Sequence, residues 1–268
     1  MQIHFISGLP RSGSTLLAAI LRQNPRFHAA MSGPVAEMFA GLVRTMGGFY
    51  DTSILVGDEQ RKRVLRAVFE AYYADRNDCP VIFDTNRLWC ASLPALAELF
   101  PESRMICCVR SPAWILNSFE MHVQRNPFGT QKPFGYEAKG NVYTRVETLM
   151  GKDGIVRRAL GNLRQAWFGE FAQRMVAVRY ESLAQQPADS MSAIYRAIGE
   201  PSFPHDFDNV SYEEPLFDKI LGLPGFHRIS GPVRVVERET ILPPDLFRQH
   251  DDCFWNAAGQ NPRGVTIV

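Results

Sequence analysis

Short apolar runs alternate along this chain with longer stretches of helical period. Gln2-Ile3-His4-Phe5-Ile6-Ser7 reads as a buried strand, and Thr15 to Arg22 as a helical run that stops at Asn24-Pro25. Residues 34–46 (PVAEMFAGLVRTM) read as a helix, with Pro34 acceptable at its first position. Over 58–77, Val64, Leu65, Val68, Phe69 and Tyr72 form one apolar stripe, while Arg61, Lys62, Arg63 and Arg66 lie mostly off it as a solvated face. Pro80–Phe83 predicts a second strand, Leu93–Phe100 a helix, Arg104–Val109 a third strand, and 112 to about 124 another helix. Residues 155–173 read as helix, Met175–Arg179 as a fourth strand, and 187–199 as a further helix. Alternation of this kind predicts an α/β fold of three layers, a central parallel sheet flanked by helices. Residues 125–140 (RNPFGTQKPFGYEAKG), rich in Gly, Pro and aromatics, predict a surface loop, and an inserted lid is expected over 125–150.

The first strand runs into GLPRSGSTLL, Gly8 to Leu17. Strand, glycine turn and helix start point backbone N–H groups and a helix dipole at an anion. The spacing Gly8-x4-Gly13 is that of a nucleoside-triphosphate loop, so the expected fold is of the P-loop type, but Ser14 stands where its lysine would be. The cation is Arg11, inside the turn, accompanied by Ser12, Ser14 and Thr15. Phosphate binding follows from this pattern, and the missing lysine argues against a kinase or ATPase. Ser12 and Ser14 also suit a purely structural capping role.

Ligands of such sheets bind beyond the carboxyl ends of the strands. The second strand ends at Asp84-Thr85-Asn86-Arg87 and the third at Arg110-Ser111-Pro112. Parallel strands would bring Arg11, Arg87 and Arg110 into one crevice, where three guanidiniums demand a polyanion. Ser111 as N-cap and Pro112 in the first turn would set a second helix start there, with Ser118 two turns on along the same face. Phosphates at two separated places fit this better than one linear triphosphate.

These motifs resemble the sulfotransferases that use 3′-phosphoadenosine 5′-phosphosulfate (PAPS), most closely in the style of the tyrosylprotein and bacterial branch. GLPRSGSTLL is similar to their 5′-phosphosulfate loop, and Val109-Arg110 followed by Ser118 to their 3′-phosphate motif. Val178-Arg179-Tyr180-Glu181-Ser182-Leu183 resembles the strand-end segment that comes next. The likeness runs over about residues 1–200 and fades past Ser202. It implies one sulfotransferase-like domain over 1–268, with PAPS as co-substrate, no metal, and a hydroxyl-bearing acceptor, either a small molecule or a peptide tyrosine. Cofactor contacts are implied for Arg11, Ser12, Gly13, Ser14, Thr15, Arg110, Ser118 and Tyr180. Arg11 and Arg87 would stabilise the leaving oxygen, and Glu37 would be the base, partial burial raising its pKa. His122 and His28 are the alternative bases. The 215–268 segment is expected to cover cofactor and substrate, Gly225–Pro232 forming the covering loop with Ser230 on the phosphates.

Composition narrows the alternatives. A net charge of +1 gives no argument for nucleic acid or a membrane surface, and no run approaches the length of a membrane span. The N-terminus enters its strand without a leader-like segment, and five cysteines without metal-like spacing read as small apolar residues of a reducing compartment, so the cytoplasm is expected. No paired-histidine metal motif and no G-x-S-x-G elbow occurs. Oligomeric state stays open, homodimer included. Two rivals remain: a P-loop phosphotransferase, in which Val81-Ile82-Phe83-Asp84 would supply a magnesium-positioning aspartate, and a nucleotide-binding module without catalysis.

Overall fold

The computed structural model describes residues 1–76, 78–125, 140–236, 239–257, 259, 261 and 263–268. Most of the expected lid, residues 126–139, lies outside the described residues. In chain order the elements are β1 (Gln2–Gly8), α1 (Ser14–Leu21), β2 (Phe27–Ala29), α2 (Val35–Arg44), α3 (Asp58–Tyr72), β3 (Val81–Thr85), α4 (Leu93–Leu99) and β4 (Met105–Val109). There follow α5 (Pro112–Arg125), α6 (Val142–Met150), α7 (Ile155–Phe168), β5 (Met175–Arg179), α8 (Tyr180–Gln185) and α9 (Pro187–Ile198). The C-terminal part adds β6 (Val210–Tyr212), α10 (Pro215–Leu221), β7 (Ile229–Gly231), α11 (Pro244–His250) and β8 (Thr266–Ile267).

Six strands form one sheet in the order β2-β3-β1-β4-β5-β8, and every pairing in it is parallel. The near-continuous apolar runs follow from burial on both faces. Alternation sends Phe5, Cys107 and Ala177 into one core and Ile6, Cys108 and Val178 into the other, as strand geometry requires of neighbours. Phe5 anchors the first core, its ring edge-on to Phe69 and Trp89 at 5.8 and 5.4 Å. The architecture expected from the sequence, a P-loop-type α/β fold with helices on both sides of a parallel sheet, is the one present.

Within residues 1–200 three elements depart from expectation, and β6, α10, β7, α11 and β8 beyond them were not foreseen. β2 was not foreseen, because three residues are too few to show a period. α6 occupies the second half of the expected insertion: Asn141 accepts hydrogen bonds from the N–H groups of Tyr143 and Thr144 as its N-cap, and Val146 and Leu149 are buried. Glu120 on α5 ties it down through Arg145, at 2.6 Å. α8 follows β5 directly, where the sequence reading saw only a strand end.

Two buried titratable groups oppose one another. Burial, reinforced by Arg104, lowers the pKa of His4 to about 4, and its Nδ1 accepts from the Arg104 N–H at 3.0 Å. Burial raises that of Asp84 to about 6, although Tyr73 and Trp89 donate to its two oxygens at 2.7 and 2.8 Å. On acidification the unfolded chain protonates its histidine first, which destabilises the fold, whereas the folded chain protonates Asp84 first, which stabilises it. Between pH 6 and 4 these contributions offset each other. Asp84→Asn removes only the stabilising one, so its Tm should fall more steeply than that of the wild type across this window. Parallel slopes in thermal melts would refute the assignment.

Candidate active site

β1 lies between β3 and β4, so the segments leaving its carboxyl end are flanked by the ends of both neighbours. Those ends open on one cavity of about 890 Å³. Arg11, Arg87 and Arg110 all line it, as the parallel-sheet argument required, together with Gly13, Ser14, Thr15, Glu37, Ser118 and Tyr180.

The turn after β1 is conformationally demanding. Gly8 and Gly13 have φ of 106° and 98°, and Arg11, at φ 57°, is the positive-φ residue among the described non-glycines. Holding a side chain in that region costs roughly 1–2 kcal/mol, a cost carried here by the residue with the cation. Gly13 caps α1, and Tyr180 at the start of α8 packs on it so closely that a Cβ there would lie 3.0 Å from the tyrosine ring. Ser14 and Thr15 open α1 half-buried on the wall. The Ser12 hydroxyl, expected at the cofactor, is instead turned inward: it is buried and donates to the carbonyls of Leu9 and Cys108 at 2.5 and 2.9 Å. Ser12 braces the turn against β4.

Arg11 joins distant parts of the chain. Its Nε donates to Ser118 Oγ at 3.2 Å, its Nη1 to the Phe226 carbonyl at 3.0 Å, and its guanidinium lies 4.0 Å from the centre of the Phe226 ring. Arg110 lies over the Tyr180 ring at 4.2 Å, with Glu181 3.8 Å from its Nε. Ser111 donates to Asp251 at 2.6 Å, tying the start of α5 to the C-terminal segment. Arg87 is open to the cavity yet crowded by protein; that crowding depresses its guanidinium pKa, Glu37 opposes the effect, and Arg158 adds to it.

Glu37 stands on the wall in the first turn of α2. It is exposed, not partly buried as expected, because α2 turns Val35, Ala36 and Phe39 to the core instead. Asn86 Nδ2 donates to its carboxylate at 3.3 Å and to the Gly33 carbonyl at 3.4 Å. Asn86 was legible only as part of a strand end, and its link to Glu37 spans 49 positions.

Several expectations fall outside this wall. Ser230 is exposed on β7, where its neighbours Arg228 and Ile229 line the cavity and it does not. His28 sits in β2 against Tyr73, beyond the far side of β3, and is not brought to the site. His122 packs on Phe226 at 5.1 Å but does not line the cavity. Asp84, the magnesium-positioning residue of the kinase reading, is fully buried with both oxygens engaged, and the cavity does not reach it. The sequence reading missed a pair beyond residue 205. His227 lines the cavity and its Nδ1 lies 2.6 Å from Oδ1 of buried Asp218. Among the described residues no group of three or more His, Cys, Asp or Glu is placed to hold a metal ion.

A family model described as the sulfotransferase family matches residues 4–205. Among solved structures, the sulfotransferase domain from the curacin biosynthetic pathway aligns with a TM-score of 0.51 at 20% identity, covering 76% of this chain and 75% of that one. The sulfotransferase domain of the Synechococcus PCC 7002 olefin synthase aligns with a TM-score of 0.50 at 19% identity, over 96% of this chain and 90% of that one. At such identities the two structures speak for the fold alone. No curated protein sequence matches significantly.

Proposed function

This chain belongs to the sulfotransferase family, and from that premise we propose that it moves a sulfuryl group from PAPS to an acceptor hydroxyl by in-line displacement. The observation that carries the reading is the convergence of Arg11, Arg87 and Arg110 with the start of α1 and with Ser118 of α5 on one cavity. An adenylate with anionic groups at its 5′ and 3′ ends matches two anion sites better than a triphosphate does. The 5′ end would rest on the Gly8–Thr15 turn, held by the N–H groups of Gly13, Ser14 and Thr15 and by Arg11. The 3′-phosphate would meet Arg110 and Ser118, with Tyr180 beneath the guanidinium.

In the transfer, Arg11 and Arg87 would stabilise charge on the leaving oxygen as fixed cations, since a guanidinium does not give up its proton. A sulfuryl group carries less charge than a phosphoryl group, so these cations and N–H groups suffice without a metal in this reading. Two groups that line the cavity are the proposed takers of the acceptor's proton: Glu37, the base expected from the sequence, and His227. The acceptor class stays as broad as the hydroxyl chemistry allows. Cytoplasmic residence is part of the proposal, supported by five free cysteines; among the described residues no helix is long and apolar enough to cross a membrane.

Adenosine 3′,5′-bisphosphate at about 100 times its Kd, with no metal added, should stabilise the protein by about 2.7 kcal/mol in a thermal-shift experiment. ATP with magnesium should do distinctly less. The reverse ranking would favour the phosphotransferase, a reading already weakened by the burial of Asp84.

A further inference from the structure

The covering segment carries a histidine held from behind. Asp218, on α10, is 3% exposed at its side chain, and His227 14%. One oxygen of Asp218 lies 2.6 Å from His227 Nδ1, and the other accepts the His227 backbone N–H at 3.0 Å. The Asp218 carbonyl accepts from Leu223 N–H at 2.8 Å, closing the turn between the two residues. Phe217 and Phe226 pack edge-on against the imidazole at 5.5 and 5.0 Å, so its plane is fixed. With Nδ1–H given to the carboxylate, the tautomer is set, and Nε2, on the far side of the ring, keeps its lone pair. His227 lines the cavity, whereas Asp218, which holds the ring at Nδ1, does not.

We propose that His227, oriented by Asp218, is the general base that removes the acceptor's proton, a role that rests on the sulfuryl-transfer reading. In the step the acceptor O–H bond breaks and an N–H bond forms at Nε2. The acceptor oxygen bonds to sulfur as the bond from sulfur to the donor's phosphate oxygen breaks, and that electron pair leaves with adenosine 3′,5′-bisphosphate. The imidazolium faces the Asp218 carboxylate until it returns its proton to water. Glu37, by contrast, is exposed, and its neighbour Asn86 is at the long end of hydrogen-bonding distance.

The charges facing His227 fit a base. Burial lowers its pKa, as do Arg11 from the turn after β1 and Arg87 from the end of β3, while Asp218 raises it. His122 on α5 reaches the same ring cluster through Phe226, and Arg228 is the next residue in the chain. The net shift is downward, which favours the neutral imidazole, the form able to accept a proton. The pair also lies beyond residue 205, outside the part of the chain that the family model matches.

The test measures sulfuryl transfer from PAPS across pH, with 2-naphthol, dodecanol and a tyrosine peptide as probe acceptors. His227→Gln should bind adenosine 3′,5′-bisphosphate within about threefold of wild type, yet lose about 10²–10⁴-fold in kcat. The acid limb of its kcat/KM profile should vanish. Asp218→Asn should move that limb to lower pH, and Glu37→Gln should leave it in place. Imidazole in solution should restore turnover to His227→Ala, a result that a merely structural role would not give. Turnover of His227→Gln within threefold of wild type, a limb lost in Glu37→Gln instead, or absence of rescue by imidazole overturns the proposal, while wild-type binding and transfer stand. A wild type that neither binds the bisphosphate nor sulfates any probe overturns the sulfotransferase reading and the base with it.

Discussion

Replacing Arg11 by alanine is expected to lower kcat/KM for sulfuryl transfer by about 10²–10³-fold, the usual loss when one fixed charge-stabilising donor is removed. The guanidinium does three things at once. It places a cation inside the glycine turn after β1, donates through its Nε to the Ser118 hydroxyl, and fastens the segment around Phe226 through that residue's carbonyl and ring. Alanine leaves the turn's backbone demand unchanged, since the residue must still adopt a positive φ, so the fold should persist. Steady-state kinetics beside circular dichroism decide the matter. A loss under tenfold in a folded variant would remove Arg11 from the reaction.

Replacing Gly8 by alanine is expected to cost the fold itself. The residue sits at φ 106°, and a Cβ there would overlap the carbonyl oxygen of Cys108 and lie 2.8 Å from its nitrogen. Both atoms belong to the backbone of β4, in the middle of the sheet, and cannot rotate away. Overpacking of about 1–3 kcal/mol, added to about 1–2 kcal/mol of backbone strain, takes a large part of a total stability of about 5–15 kcal/mol. Urea unfolding should show the midpoint of Gly8→Ala well below that of wild type, or no soluble protein at all. An unchanged midpoint would mean that β1 and β4 can separate without penalty.

Four strands of the sheet, β1, β3, β4 and β5, were readable because they are buried on both faces and showed as apolar runs bounded by turns, whereas β2 and β8 are too short to show. Its parallel order carried the inference that Arg11, Arg87 and Arg110 meet, although 76 positions separate the first from the second in sequence. Contacts that depend on which way a side chain turns within one loop were not readable. Ser12 and Ser14 look alike in GLPRSGSTLL, yet Ser12 faces β4 and Ser14 the cavity. Glu37 reached the wall as expected, but the neighbouring Val35, Ala36 and Phe39 take the buried face of α2 and leave it exposed. His227 lies within Gly225–Pro232, the loop expected to cover the site, where the sequence pattern points to the hydroxyl of Ser230 instead. Nothing in the spacing marks Asp218, nine residues earlier, as the partner of His227.

The cavity takes its walls from residues as far apart as Ile6 and Ile229. No contiguous fragment short of most of the chain supplies that whole wall. Under the proposed function a nucleotide seated there would brace distant parts of the polypeptide, and the stability it confers would belong to the whole molecule. Loss of the C-terminal third would release Phe226 from Arg11, so under the proposed function nucleotide occupancy and retention of that third would be one equilibrium.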